Sequence, residues 1–196
     1  MLISNSCIAS WITTRILNRE IDSPLAWATI DPVSMSNLVE NFYDIDFSKY
    51  KIEKYRNNTF SVIIDGKVRV NYVHYKKDLK QKTPKVIKTD VFYSKIEEFI
   101  LQKYASRLSK FNKDSEPIFI IGFPSNAESE ANYTPDDVHN IISHNKHGFK
   151  IITCIDKCSE GSEVIPFPHG KFKDNGIDFS RYIYTNSKIL KSYGSK

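Results

Sequence analysis

The chain has 196 residues, of which 40% are hydrophobic, 13% aromatic and 26% charged, with a formal net charge of +5. This length suits one domain with a substantial core and is short for two, and the composition excludes the low-hydrophobicity, high-charge regime of disorder. No apolar run approaches the ~20 residues that span a bilayer, and three cysteines, an odd count, argue against a disulfide framework and for a reducing compartment.

The start, Met1-Leu2-Ile3-Ser4-Asn5, lacks the basic residues, long apolar stretch and small-residue cleavage site of a signal peptide. The expectation is a cytoplasmic protein with no transmembrane segment, folded as one α/β domain over residues 1–196. Leu2-Ile3 reads as the start of a buried strand. The period then changes: Ile8, Trp11, Ile12 and Ile16 fall at i, i+3, i+4 and i+8, a helical stripe that ends between Asn18 and Asp22, before Ser23-Pro24. Leu25 to Ile30 is apolar and reads as buried. Asp31-Pro32 reads as a helix start, with Asp31 as N-cap and Pro32 at the first helical position, followed by an apolar face of Met35, Leu38, Val39 and Phe42. Tyr50 to Tyr55 reads as a strand. Thr59–Ile64 and Lys67–Tyr75 flank Asp65-Gly66, a two-residue hairpin signal.

Lys76 to Thr89 is polar, lysine-rich and carries a proline, and reads as a mobile loop. Phe92, Ile96, Phe99, Ile100, Tyr104 and Leu108 mark a long amphipathic helix. Ile118 to Phe123 is a continuous apolar run, as a central parallel strand requires. Thr134-Pro135-Asp136 caps a helix that runs to about His144. Lys150–Ile155 is the next strand, Val164–Phe167 a short last strand, and Phe179–Leu190 a final helix. Strands alternating with helices argue for an α/β fold. The expected architecture has three layers, α/β/α, around a mixed, mostly parallel sheet with an inserted β-hairpin.

In open α/β sheets, ligands gather at the carboxyl ends of strands, near helix N-termini. Cys7 occupies such a point. Backbone N–H groups and the positive end of a helix stabilise a thiolate, the reactive form, and can serve as oxyanion donors. The alternative is a small buried residue packing a tight turn. A cysteine nucleophile needs a base, and His74 and His169, each at the end of an expected strand, are the candidates. His139 falls inside a helix, and His144 and His147 at a polar helix end. Asn5, Ser6, Lys76 and Asn126 are the candidate substrate-binding residues. Asp156, Glu128 and Glu130 are loop carboxylates that could orient a histidine or bind a hydroxyl.

His144 and His147 with Cys154 and Cys158 have a loose zinc-like spacing. Cys154 lies in an apolar strand, where a buried thiol is common, so no metal site is assigned. There is no Gly-rich phosphate loop and no dinucleotide fingerprint, and no cofactor is expected. The mild positive charge favours anionic partners such as nucleotide sugars, phosphates or a membrane face. The lysines are scattered and no nucleic-acid motif accompanies them, so no nucleic-acid partner is expected. Trp11, Trp27 and Phe42 lie on helical or apolar stretches and are assigned to the core.

The segments Ile3-Ser4-Asn5-Ser6-Cys7-Ile8-Ala9-Ser10, Ser23-Pro24-Leu25-Ala26-Trp27-Ala28 and Asp31-Pro32-Val33-Ser34-Met35-Ser36-Asn37-Leu38 together resemble the GSCFA family, which opens with a Gly-Ser-Cys-Phe-Ala turn. The opening also resembles an uncharacterised bacterial family with an Ile-Ser-Asn-Asn-Cys start, met in exopolysaccharide gene clusters. Val70-Asn71-Tyr72-Val73-His74-Tyr75-Lys76 resembles that family's mid-chain His-Tyr segment. Both families look like relatives of the SGNH hydrolases, whose nucleophile follows the first strand, where Cys7 would stand. Their late Asp-x-x-His is here Pro166-Phe167-Pro168-His169, without the aspartate, and Asn5-Ser6 stand before the cysteine in place of Gly-Ser.

The resemblance covers residues 1–40 and 70–76. It implies a role in bacterial surface-polysaccharide (capsule or exopolysaccharide) biosynthesis, with a glycan or activated sugar as substrate and other polysaccharide-assembly proteins as partners. On that reading Cys7 serves a hydrolase-like esterase or an acyltransferase. Two alternatives stay open: a non-catalytic glycan- or nucleotide-sugar-binding accessory module, and a small glycosyltransferase-like enzyme.

Overall fold

Ile118–Ile121 forms a strand buried at every position, as a strand covered on both faces must be. The computed structural model describes residues 1–54, 60–72, 89–123, 133–155, 162–166 and 176–195. In chain order the elements are β1 (Leu2–Ser4), α1 (Ile8–Trp11) continuing into a π-helical turn (Ile12–Ile16), β2 (Thr29–Ile30), α2 (Pro32–Asn41), β3 (Tyr50–Lys54), β4 (Phe60–Ile64) and β5 (Val68–Tyr72). There follow α3 (Thr89–Leu108), β6 (Ile118–Ile121), α4 (Pro135–Ser143), β7 (Lys150–Thr153), β8 (Ser162–Val164), α5 (Gly176–Asn186) and α6 (Lys188–Gly194).

The strands β1, β6, β7 and β8 lie side by side in that order, and each ladder between them is parallel. Ile3 pairs with Phe119, and Phe119 with Ile151. Successive side chains of a strand point to opposite faces, and the two faces bury different cores. Ile3, Phe119, Ile121 and Ile151 pack with residues of α2, α3 and α4 and with the second sheet. Leu2, Ile118, Ile120 and Ile152 pack with α1, α5 and α6. The fold is therefore α/β, as the alternation of elements in the sequence implied, but the expected mixed sheet is, among the described residues, a wholly parallel one with helices on both faces.

The expected hairpin forms, and it belongs to a second sheet. That sheet is antiparallel, in the order β2-β5-β4-β3. Asp65 and Gly66 have φ of 50° and 67°, the left-handed pair that a tight hairpin turn needs. The last ladder pair is Ile64 with Val68, so Lys67 also falls in the turn. No ladder among the described residues joins the two sheets. They share a core instead, with Val62, Ile64, Val68 and Val70 in the same cluster as Ile3 and Phe119.

Helix starts follow the expected chemistry. Asp31 Oδ1 accepts from the N–H of Ser34 at 2.9 Å, with Pro32 in the first turn. Thr134 and Asp137 form a reciprocal capping box. Met35, Leu38, Val39 and Phe42 are all fully buried, as are Ile96, Ile100 and Tyr104 or nearly so.

Three elements differ from expectation. The first helix loosens into the π-helical turn, where Leu17 N–H donates to the Ile12 carbonyl at 2.9 Å. Thr13 and Thr14 bond back to the carbonyls of Ala9 and Ser10, a habit that bends helices. The expected final helix is two helices, broken at Ser187. The last strand spans Ser162–Val164, starting two residues earlier than expected. Most of the expected Lys76–Thr89 loop lies outside the described residues. No helix among the described residues is long and apolar enough to cross a membrane.

Candidate active site

Cys7 stands where β1 ends and α1 begins, and three local bonds shape the turn that presents it. Asn5 N–H donates to the Ile120 carbonyl at 3.2 Å, extending the parallel ladder past the end of β1. The Ser4 hydroxyl then closes the turn: it donates to the Ser6 carbonyl and accepts from the N–H of Ala9, the latter at 3.0 Å. Cys7 is the N-cap of α1, with φ −71° and ψ 3°, and its carbonyl accepts from Trp11 N–H at 3.0 Å. As a residue it is half-buried.

The electrostatics run against one expectation. Burial pushes the Cys7 thiol up to about 12, and the positive charge of Arg107 offsets this only in part. Desolvation of the charged form outweighs the arginine's pull. Cys7 is a neutral thiol at rest, not a standing thiolate. The oxyanion expectation is narrowed as well, because Ala9 N–H already donates to Ser4.

Asn5, expected to contact substrate, is fully buried. Its Nδ2 donates to the Phe123 carbonyl at 3.2 Å, and its backbone carbonyl accepts from Ile30 N–H at 3.3 Å. Asn5 thus fixes the turn between both sheets, a positioning role. Ser6 is also buried, with its carbonyl held by Ser4. The chain of bonds continues from Ile30, whose carbonyl accepts from the Tyr133 hydroxyl at 2.8 Å. Burial holds that phenol well above its ordinary range, so it stays a neutral donor.

Sequence reasoning missed Arg107, whose charge reaches Cys7, and the pairing of Trp27 with Trp11. Trp27 comes from the segment before β2, and its ring meets that of Trp11 edge to face at 5.0 Å and 79°. Both tryptophans are half-buried and outside the buried core, which corrects their assignment to it, whereas Phe42 is fully buried as expected. Arg107, from the last turn of α3, donates from Nη1 to the Ala26 carbonyl at 2.7 Å. On the adjoining strand, Gly122 has φ 76° and is packed close to Val138, Thr153 and Ile155. The apolar run ending in Gly-Phe was the one signal in the sequence for that tight strand end.

His74, His169, Lys76 and Asn126 lie outside the described residues, as do Glu128, Glu130, Asp156 and Cys158. The other histidines are occupied or remote in role. His139 lies in α4. His144 Nδ1 donates to the Asn140 carbonyl at 2.7 Å. His147 Nε2 donates to the Glu40 carbonyl at 3.1 Å, and its ring packs on Tyr43 and Phe149. Cys154 Sγ donates to the Gly122 carbonyl at 2.8 Å. Among the described residues, no three His, Cys, Asp or Glu side chains are grouped to hold a metal ion.

Sequence reasoning also passed over an acidic pair, Asp44-Ile45-Asp46. It lines an open cavity of about 280 Å³ with Phe47, Leu108, Phe111 and Lys113. Asp46 Oδ1 accepts from Ser48 N–H at 3.0 Å and Lys49 approaches Oδ2 at 3.5 Å. Lys113 Nζ donates to the Ile45 carbonyl at 2.7 Å. Two lysines thus already place positive charge at that loop.

No protein-family model matches the chain, and no curated protein shows significant similarity to it.

Proposed function

We propose that this protein is a cysteine-dependent esterase or acyltransferase of bacterial surface-polysaccharide biosynthesis, acting in the cytoplasm on a glycan or its activated precursor. The carrying observation is the place of Cys7: a half-buried residue past the carboxyl end of a parallel strand, at the N-cap of a helix, within the field of an arginine. The resemblance of residues 1–40 to GSCFA-like and exopolysaccharide-cluster families supports the same reading.

A thiol with this environment cannot attack as a resident thiolate. It acts as a serine does in a triad: a base takes the proton while the new bond forms. Cys7 Sγ adds to the acyl carbon, the alcohol of the sugar leaves with the proton from the base, and a thioester remains. Water, or the hydroxyl of a second sugar, then takes the acyl group and restores the thiol. His74 or His169 is the proposed base, and Lys76 and Asn126 the proposed contacts to the sugar. Arg107 supplies positive charge for the developing oxyanion.

The second reading is a non-catalytic glycan- or nucleotide-sugar-binding module, favoured by the raised thiol. Release of acetate from acetylated saccharides separates the two. Cys7→Ala removes turnover under the first reading, and His74→Ala or His169→Ala lowers it about 100-fold or more. No acetate release from any of these saccharides by the wild type supports the binding module, and release unchanged in Cys7→Ala ends the role of Cys7 as nucleophile.

A further inference from the structure

The chain has two tryptophans, and the fold brings their rings together edge to face, Trp11 one helical turn after Cys7. That spacing puts the side chains of Cys7 and Trp11 on one helix face. Trp27 is held at φ 59°. A bulky residue in the left-handed region is an outlier, kept there only when its surroundings over-determine it, and such strain gathers at ligand sites. Here the restraints are visible. The Ser10 hydroxyl accepts from Trp27 N–H at 2.8 Å, and Arg107 grips the preceding carbonyl of Ala26. Arg15, which is exposed, lies with its guanidinium 5.8 Å from the centre of the Trp11 ring.

We propose that Trp11, Trp27 and Arg107 form a subsite for a saccharide ring bearing an anionic group, phosphate or carboxylate, next to Cys7. An indole face is the negative pole of the ring quadrupole, and the C–H face of a pyranose is its apolar, weakly positive complement. Arg15 and Arg107 bring charge opposite to the anion, in the planar fork that fits carboxylate and phosphate alike. Both tryptophans are only partly buried, unlike the fully buried aromatics of the core. The inference deepens the reading above and rests on it for the choice of a saccharide. The aromatic and cationic character comes from the residues themselves.

Tryptophan emission of the intact protein tests it, because no tryptophan lies elsewhere in the chain. The probes are glucose 1-phosphate, glucuronic acid, glucose and inorganic phosphate. The expected result is a saturable change with glucose 1-phosphate or glucuronic acid, the stronger of the two naming the anion, and at least about tenfold weaker responses to glucose and to phosphate alone. Trp27→Asn keeps Trp11 as reporter and uses a residue that tolerates a left-handed backbone. It is expected to keep the circular dichroism of the fold and to weaken binding about tenfold. Arg107→Met is expected to erase the preference for the charged sugars. No saturable response to any of the sugars, an equal response to phosphate alone, or unchanged binding in a folded Trp27→Asn variant overturns the subsite. The assay needs no turnover. Binding without ester cleavage sinks the catalytic reading alone, and cleavage without this emission change sinks the subsite alone.

Discussion

The side-chain amide of Asn5 donates to the carbonyl of Phe123 at 3.2 Å, across 118 residues of sequence. The bond joins the residue after β1 to the end of the β6 segment, and Asn5 is fully buried. Where Cys7 emerges from the sheet is therefore set by a residue two positions earlier. Asn5→Leu leaves the Phe123 carbonyl without this donor, at an expected cost of about 1–3 kcal/mol. Urea unfolding should show that loss, and acetate release should fall more than the folded fraction does, because the turn carrying Cys7 is no longer fixed.

Gly122 is the tightest point of the adjoining strand end. Its φ is 76°, and a Cβ built there would lie 2.9 Å from Val138 Cγ2, 3.0 Å from Thr153 Oγ1 and 3.3 Å from Ile155 Cδ1. Gly122→Ala meets a backbone penalty and a steric one together, an expected loss of about 1–3 kcal/mol. Gly66→Ala has a similar φ of 67° with nothing within 4 Å of the added atom. Denaturant midpoints should therefore place Gly122→Ala below Gly66→Ala.

The raised thiol of Cys7 gives a pH dependence with a definite sign. Folding favours the neutral form, moving the group from 9.0 to about 12 by burial. Its contribution to stability is whole below the ordinary thiol range and is lost as pH climbs from about 9 toward 12. The stability difference between the wild type and Cys7→Ala should accordingly shrink across that alkaline window. Alkylation of Cys7 by iodoacetamide near neutral pH should be slower in the folded protein than in urea. Arg107→Met removes the charge that lowers the thiol, so it should slow folded-state alkylation further.

Much of the fold was legible because its signals are local. The change of period after Ser4, the Asp31-Pro32 cap, the Asp65-Gly66 turn and the Thr134-Pro135 cap each act through residues within a turn of one another. The break at Ser187 was not legible. Glu163, on β8, accepts from the Ser187 hydroxyl at 2.5 Å and from Lys188 N–H at 2.6 Å, so a distant carboxylate starts a new helix where periodicity alone would continue the old one. The division into two sheets was hidden for a similar reason: β2 is two residues long, and its partner β5 is chosen by tertiary packing.

The candidate site divides the same way. Cys7 could be found from the strand-to-helix change around it. Trp27 and Arg107 could not, since they arrive from positions 20 and 100 residues further along, and nothing in Ala26-Trp27-Ala28 announces a tryptophan at positive φ. The direction of the thiol's shift was also hidden, because it depends on how deeply the turn is buried and not on its distance from a helix end.

The central claim is that Cys7 takes an acyl group. Intact-mass and peptide analysis of the full chain mixed with p-nitrophenyl acetate, with Cys154→Ser and Cys158→Ser in the background, tests it most directly. The account expects one acetyl group on Cys7, released by hydroxylamine and absent from Cys7→Ala. A chain that gains no acetyl at Cys7, or carries it only on lysines, would contradict the account and leave Cys7 as a packing residue of the turn.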